Sequence, residues 1–425
     1  MKKYILFLII SSLAWGLSAQ ENEATESFKT GIVRHFTNPA VTEHNIPLRN
    51  VEVGFVDGIK VGFGNSLIGV GDILKKELVI DLDDIYNTML DDGVGIGANL
   101  ALRPFYVNVY VPKLEMGFGL FTSVGGRFDG SLRKNLFDII TQGNSREHPN
   151  KSGDIDVSGA VFAETGLSWH GSFLKNKLRV SAAPAFYVPL IYIPKSNLKL
   201  ELEAEKPEND DRLYVGINGD LDLYHVFSES AKTGGGADLS VTGEYALFPI
   251  LDVGGTISHI PIVPATLSNG KKFAVKGDIV NTTSLLDGIG ETDIGLEEGE
   301  SLDDLLVVRP MRFDVYVLYR PLRRDLLTIK PSIGFTAINP SEEVYFNGIL
   351  EAQLRVGKLR NNPGNLFKLY LNTGIEEGYW RHKLGFALNF RAVELDFETE
   401  LKSQGYPNSY QGNGLEFTFG MKFGW

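Results

Sequence analysis

Through much of the chain, apolar residues recur at every second position. Leu415, Phe417, Phe419, Met421, Phe423 and Trp425 alternate with Glu416, Thr418, Gly420, Lys422 and Gly424. Successive side chains of a strand point to opposite faces, so this spacing predicts a strand with one apolar face and one small or polar face. The same alternation marks Val51, Val53 and Phe55, extended by Val61 and Phe63, as a first strand. It returns in Val107, Val109 and Val111, in Ile155 to Leu167, and in Phe313, Val315, Val317 and Tyr319. Further strands are predicted at 326–337, 344–356, 366–373, 381–390, 393–401 and 414–425.

Between the short turns at 170–176 and 248–251 an even number of barrel strands must lie, and 178–193, 197–205, 213–228 and 237–247 supply four. Two stretches break the pattern. Residues 72–91 and 132–143 carry apolar side chains at near-helical spacing and predict short helices. Residues 259–310 read as the longest excursion, a solvated surface loop with an acidic run from Glu291 to Asp304.

No long unbroken apolar run follows the N-terminal leader, and mean hydropathy is −0.04. Strands that alternate between lipid and lumen hide their membrane signal in just this way. The fold class expected is all-β: an antiparallel transmembrane β-barrel of roughly 14 strands, between about 12 and 16, with a short N-terminal plug segment. The first residues fit a secretory leader: Lys2 and Lys3, an apolar run from Tyr4 to Leu17, then Leu17-Ser18-Ala19 before Gln20. The organisation expected is therefore a signal peptide over 1–19, a periplasmic or hatch segment over 20–50, and the barrel over 51–425.

The segment Thr418-x-Gly420-x-x-Phe423-x-Trp425 resembles the carboxy-terminal signal of bacterial outer-membrane β-barrels. That resemblance implies a bacterial outer-membrane location, with outer-membrane lipid or lipopolysaccharide around the chain and the barrel-assembly machinery as a partner during biogenesis.

Composition narrows the function. There are 41 basic and 53 acidic residues, which argues against a nucleic-acid partner. The absence of Cys removes disulfides and thiolate sites. The seven His residues show no H-x-x-x-H spacing, and neither G-x-S-x-G nor a phosphate-binding glycine loop occurs. The acidic run offers carboxylates to a hard cation but lacks the spacing and turn glycine of an EF-hand loop. The reading is of a protein that is not an enzyme and holds no cofactor or metal.

Asn38-Pro39-Ala40, just before the first strand, resembles the Asn-Pro-Ala motif of the FadL family of outer-membrane transporters for hydrophobic compounds. The upstream segment Val33-Arg34-His35-Phe36 departs from the small residues usual there. The resemblance implies an N-terminal hatch that plugs the lumen, passive diffusion of long-chain fatty acids or similar ligands past it, and exit through the barrel wall. The alternatives are a general porin and a structural or adhesive surface protein. Trp425→Ala, or deletion of Phe423–Trp425, should lower the yield of membrane-inserted barrel that shifts on heating in a denaturing gel. Normal yield would remove the assembly-signal reading.

Overall fold

The computed structural model describes residues 51–65, 94–135, 150–175, 177–203, 213–225, 234–268, 270–281, 291–322, 326–338, 343–358, 365–376, 379–390, 392–403, 410 and 414–424. The leader, the segment 20–50 with Asn38, Pro39 and Ala40, the predicted helix over 72–91, most of the predicted helix over 132–143 and Trp425 lie outside them.

The first strands, β1 (Val51–Asn65), β2 (Val94–Val111), β3 (Met116–Leu132), β4 (Asn150–Phe173) and β5 (Leu178–Glu203), pair antiparallel in chain order. Next come β6 (Leu213–His225), β7 (Gly236–Phe248) and β8 (Leu251–Val263), then β9 (Ala265–Leu267), β10 (Lys271–Asn281), β11 (Glu291–Ser301) and β12 (Leu305–Val307). The last seven are β13 (Met311–Tyr319), β14 (Leu327–Ile338), β15 (Glu343–Lys358), β16 (Asn365–Glu376), β17 (Tyr379–Asn389), β18 (Val393–Ser403) and β19 (Gly414–Gly424).

Among the described residues a ring of fourteen strands closes: β1 to β5, then β7, β8 and β13 to β19, with β19 returning to β1. Closure is long. Glu52 stands opposite Gly424, and Gly64 opposite Gly414. A membrane offers no water to an unpaired backbone, so a sheet can cross it only without an edge.

The parity read from sequence is the parity of the wall. In β13, Met311, Phe313, Val315 and Tyr319 are exposed while Arg312, Asp314 and Tyr316 are buried. In β19, Phe417 is 58% exposed and Glu416 only 1%. Phe386, Phe397 and Phe419 stack across three neighbouring strands on the outer face, with centroids 5.3 and 5.1 Å apart. Large apolar side chains outside and charge inside define a membrane-spanning barrel.

Three expectations are corrected. Residues 178–193 and 197–205 are not two strands but one, β5. It pairs with β7 from Leu178 to Tyr187 and then, beyond Ile191, with β6. The hairpin β4–β5 outgrows the ring there, and its extra length is paired off to the side. β6 is consequently not a barrel strand: it pairs with β5 and β10, and β10 with β11. The excursion 259–310 is not simply loop. The acidic run supplies β11, and β9 pairs with β12. Charged sequence had suggested solvation, but alternating Thr292, Ile294 and Leu296 is compatible with a strand once a partner exists.

Position decides what a new charge costs on this wall. Phe397→Arg, mid-strand in the apolar belt, should destabilise the barrel by about 2–4 kcal/mol, against about 0–1 for Leu174→Arg in a turn at the rim. Urea titration of refolding into vesicles measures both; equal costs would contradict a bilayer-facing belt.

Candidate functional site

A ring of fourteen strands encloses more space than small side chains fill, whereas eight strands leave room for little else. Long charged side chains project into that space here and pair along the inner face. Arg312 on β13 pairs with Asp314 at 2.5 Å and reaches Glu376 on β16, passing two intervening strands. Arg381 on β17 contacts Glu376 and Glu400, and lies 3.9 Å from Glu416 on β19. Glu416 also takes Lys60 of β1 at 3.0 Å, Lys402 of β18 at 3.4 Å and the amide of Asn99 of β2 at 2.7 Å. Lys402 donates to Asn99 at 3.0 Å. Four cations (Lys60, Arg312, Arg381 and Lys402) thus interleave with four carboxylates (Asp314, Glu376, Glu400 and Glu416) from β13 round to β2.

This layer lies toward the end that carries the long connections. The opposite end holds the short connections from β2 to β3, β4 to β5, β7 to β8 and β17 to β18, and it has clusters of its own. Arg179 pairs with Glu244 at 2.7 Å and Asp252 at 2.6 Å, and Arg320 with Asp252 at 2.9 Å. The Tyr316 hydroxyl donates to Glu244 at 3.2 Å. Lys368 pairs with Glu394 at 2.7 Å, both 1% exposed. Burying a charge is costly unless it is paired and hydrogen-bonded, so these groups hold one another in place.

A third cluster involves the excursion between β8 and β13. Its returning stretch, Leu302–Pro310, lies against the inner face of β4, β5 and β7. Arg309 makes a two-pronged contact with Asp238 of β7, at 2.7 and 2.8 Å, and contacts Glu164 of β4. The Ser123 hydroxyl donates to the same Glu164 at 2.5 Å. The Arg309 guanidinium lies 5.0 Å above the Tyr187 ring, whose hydroxyl donates to the Val307 carbonyl at 3.0 Å. Tyr187 fits because Gly236 faces it: a Cβ there would stand 2.2 Å from the ring.

Where the hairpin β4–β5 extends beyond β7, Tyr192, Tyr224, Leu267 and Val307 form a small core of their own. Burial raises the Tyr224 phenol above its ordinary pKa, and the neutral hydroxyl donates to the Asp303 carbonyl at 3.2 Å.

Register shifts occur in β4–β5 and β7–β8, and in β1, β2 and β3 they fall at one height. Pairing of β1 with β19 is lost between Gly54 and Ile59, that of β1 with β2 slips between Asp57 and Lys60, and that of β2 with β3 slips between Leu102 and Phe105. Extra residues in adjacent strands bow the sheet locally. An apolar groove of about 490 Å³, beside Gly243 and Gly255, opens on the outer face and not into the lumen. Among the described residues no group of three or more His, Asp or Glu is placed to hold a metal ion.

Of the residues picked out from sequence, Thr418 stands opposite Lys60 and Glu398, Gly420 opposite Asp396, and Phe423 opposite Val53 and Val393. They sit at the closing seam, apart from the Arg309 cluster. Trp425, Asn38, Pro39 and Ala40 lie outside the described residues. The charged partners were not picked out. Strand parity gives their inward direction, but which inward residue meets which depends on ring curvature.

The class these features define is a membrane-spanning antiparallel β-barrel with an ion-paired interior. A family model described as a family of unknown function, DUF5723, matches residues 45–245. No curated protein sequence matches the chain. Among solved structures, the chain is similar to the toluene transporter TodX of Pseudomonas putida, at 10% identity over 97% of this chain and 96% of that one, with a TM-score of 0.43. It is also similar to the translocator domain of the autotransporter NalP of Neisseria meningitidis, at 9% identity over 95% and 98%, TM-score 0.32. A FadL homologue of Pseudomonas aeruginosa follows at 8% identity over 88% and 89%, TM-score 0.30.

Glu416→Gln would leave Lys60, Lys402 and Arg381 facing a neutral group inside the barrel. It should destabilise the fold by about 3–5 kcal/mol, the usual cost of breaking a buried pair. Glu297→Gln on the exposed β11 should stay within about 0.5 kcal/mol. Equal urea midpoints for the two variants would deny the interior layer its structural weight.

Proposed function

We infer that this chain is an outer-membrane conduit, closed at rest, that passes small hydrophobic molecules by diffusion and releases them sideways through its wall. The observation that carries this reading is the combination of a lumen lined by a network of buried ion pairs with a wall whose pairing slips at one height in β1, β2 and β3. Long paired side chains projecting from the wall narrow any aqueous path. A hydrophobic solute gains nothing from crossing them, because it would strip charges of their partners without replacing them. A bowed wall beside the apolar belt gives it another way out, into the bilayer. In this reading residues 20–50 act as the hatch, and Asn38, Pro39 and Ala40 meet the inner wall.

The charged interior favours a second reading, a conduit for polar solutes that opens when the ion pairs rearrange. The two differ in what crosses. Purified protein in planar bilayers should show little ion conductance, while proteoliposomes should take up an aromatic hydrocarbon or fatty acid faster than empty vesicles. Because the chain has no native Cys, Phe55→Cys with Met421→Cys allows the interrupted seam to be bridged by a thiol cross-linker. Bridging should suppress that uptake, and uptake unaffected by the bridge would remove the side exit. Free conductance by the intact protein would leave the polar conduit.

A further inference from the structure

We propose that Leu302–Pro310 is an internal strap that shuts the mouth of the barrel at its long-connection end, and that Arg309 is the pin that holds it. The proposal concerns access to the lumen and does not depend on which solute passes.

The strap is anchored along its length by contacts of different kinds. The Leu302 amide donates to the Gly270 carbonyl at 2.8 Å, and β12 pairs with β9. Val307 is 2% exposed and presents its carbonyl to Tyr187. The His259 ring donates through Nδ1 to the Pro310 carbonyl at 2.9 Å. Arg309 ties the strap to the transmembrane wall by charge, through Asp238 and Glu164.

Both carboxylates belong to the inner face. Asp238 shares parity with the buried Ser240, Thr242 and Glu244, and Glu164 with the buried Ser168 and His170. Arginine suits this position because its planar fork engages one carboxylate with two parallel hydrogen bonds and still reaches a second. Without it, two buried carboxylates of the wall would be left without a cation, and letting water in to solvate them means lifting the strap. The remaining contacts are uncharged: the hydrogen bonds, each weak enough to exchange for water, and the packing of Leu302, Leu305 and Val307 at the strap's other end.

Ser240, one inward position below Asp238 and 5% exposed, serves as a reporter. In the Cys-free chain, Ser240→Cys introduces a single thiol beneath the strap. With the strap in place it should react slowly with a membrane-impermeant maleimide added to the reconstituted protein. Adding Arg309→Ala should raise the rate by about tenfold, since reactivity follows the fraction of open molecules. Tyr187→Phe, which removes one neutral hydrogen bond, should raise it less.

A second reporter, Ser332→Cys on the inner face of β14, controls for general loosening. Its rate should not change with Arg309→Ala. Equal acceleration at both sites, or none at Ser240→Cys in a variant that still shifts on heating, overturns the strap. Neither result bears on hydrocarbon uptake, so the transport reading stands or falls separately.

Discussion

The return of β19 onto β1 is the constraint from which the rest follows. In a bilayer an unpaired edge costs several kcal/mol for each exposed backbone group, so the sheet is viable only as a ring. The closing register, with Ile59 opposite Phe419 and Phe63 opposite Leu415, also fixes which face of every strand looks outward. A slip of one residue would turn the apolar belt into the lumen and the charges into lipid. Register and sidedness are thus one decision.

Closure creates the second problem, the space inside. Fourteen strands leave a lumen that must be filled by side chains, by chain or by water. Here Arg, Lys and Glu project from neighbouring strands of the wall, and their length lets Arg312 reach Glu376 past two strands. Length alone would not suffice, because a lone buried charge is penalised; the alternation of cations and carboxylates makes the filling stable. The same logic governs the strap. Arg309 brings a third element into the lumen by supplying the charge that Asp238 and Glu164 lack.

The overgrown hairpin β4–β5 has a different consequence. Once the pair passes Tyr187 its outer edge is no longer covered by β7, and an uncovered edge invites mispairing. The chain meets this with β6, β10 and β11, which extend the sheet beside the ring. The two insertions, between β5 and β7 and between β8 and β13, therefore depend on each other. Their small apolar core at Tyr192 and Val307 also sets where the strap enters.

The sequence by itself determined the class of fold and the sidedness of each strand. Alternation with period two is local, and it survives whatever the partner strand is. The parity of Leu415–Phe423, the first strand from Val51, and the strands from Phe313 onward were legible for that reason. The tertiary structure decided everything that depends on distance across the ring. It made β5 one strand rather than two, moved β6 out of the wall, and turned the acidic run 291–301 into strand β11. It also chose Glu376 for Arg312 and Asp238 for Arg309. Those partners lie 64 and 71 residues away in the chain, and no local pattern encodes them. They are set by curvature and side-chain reach, which exist only once the ring has closed.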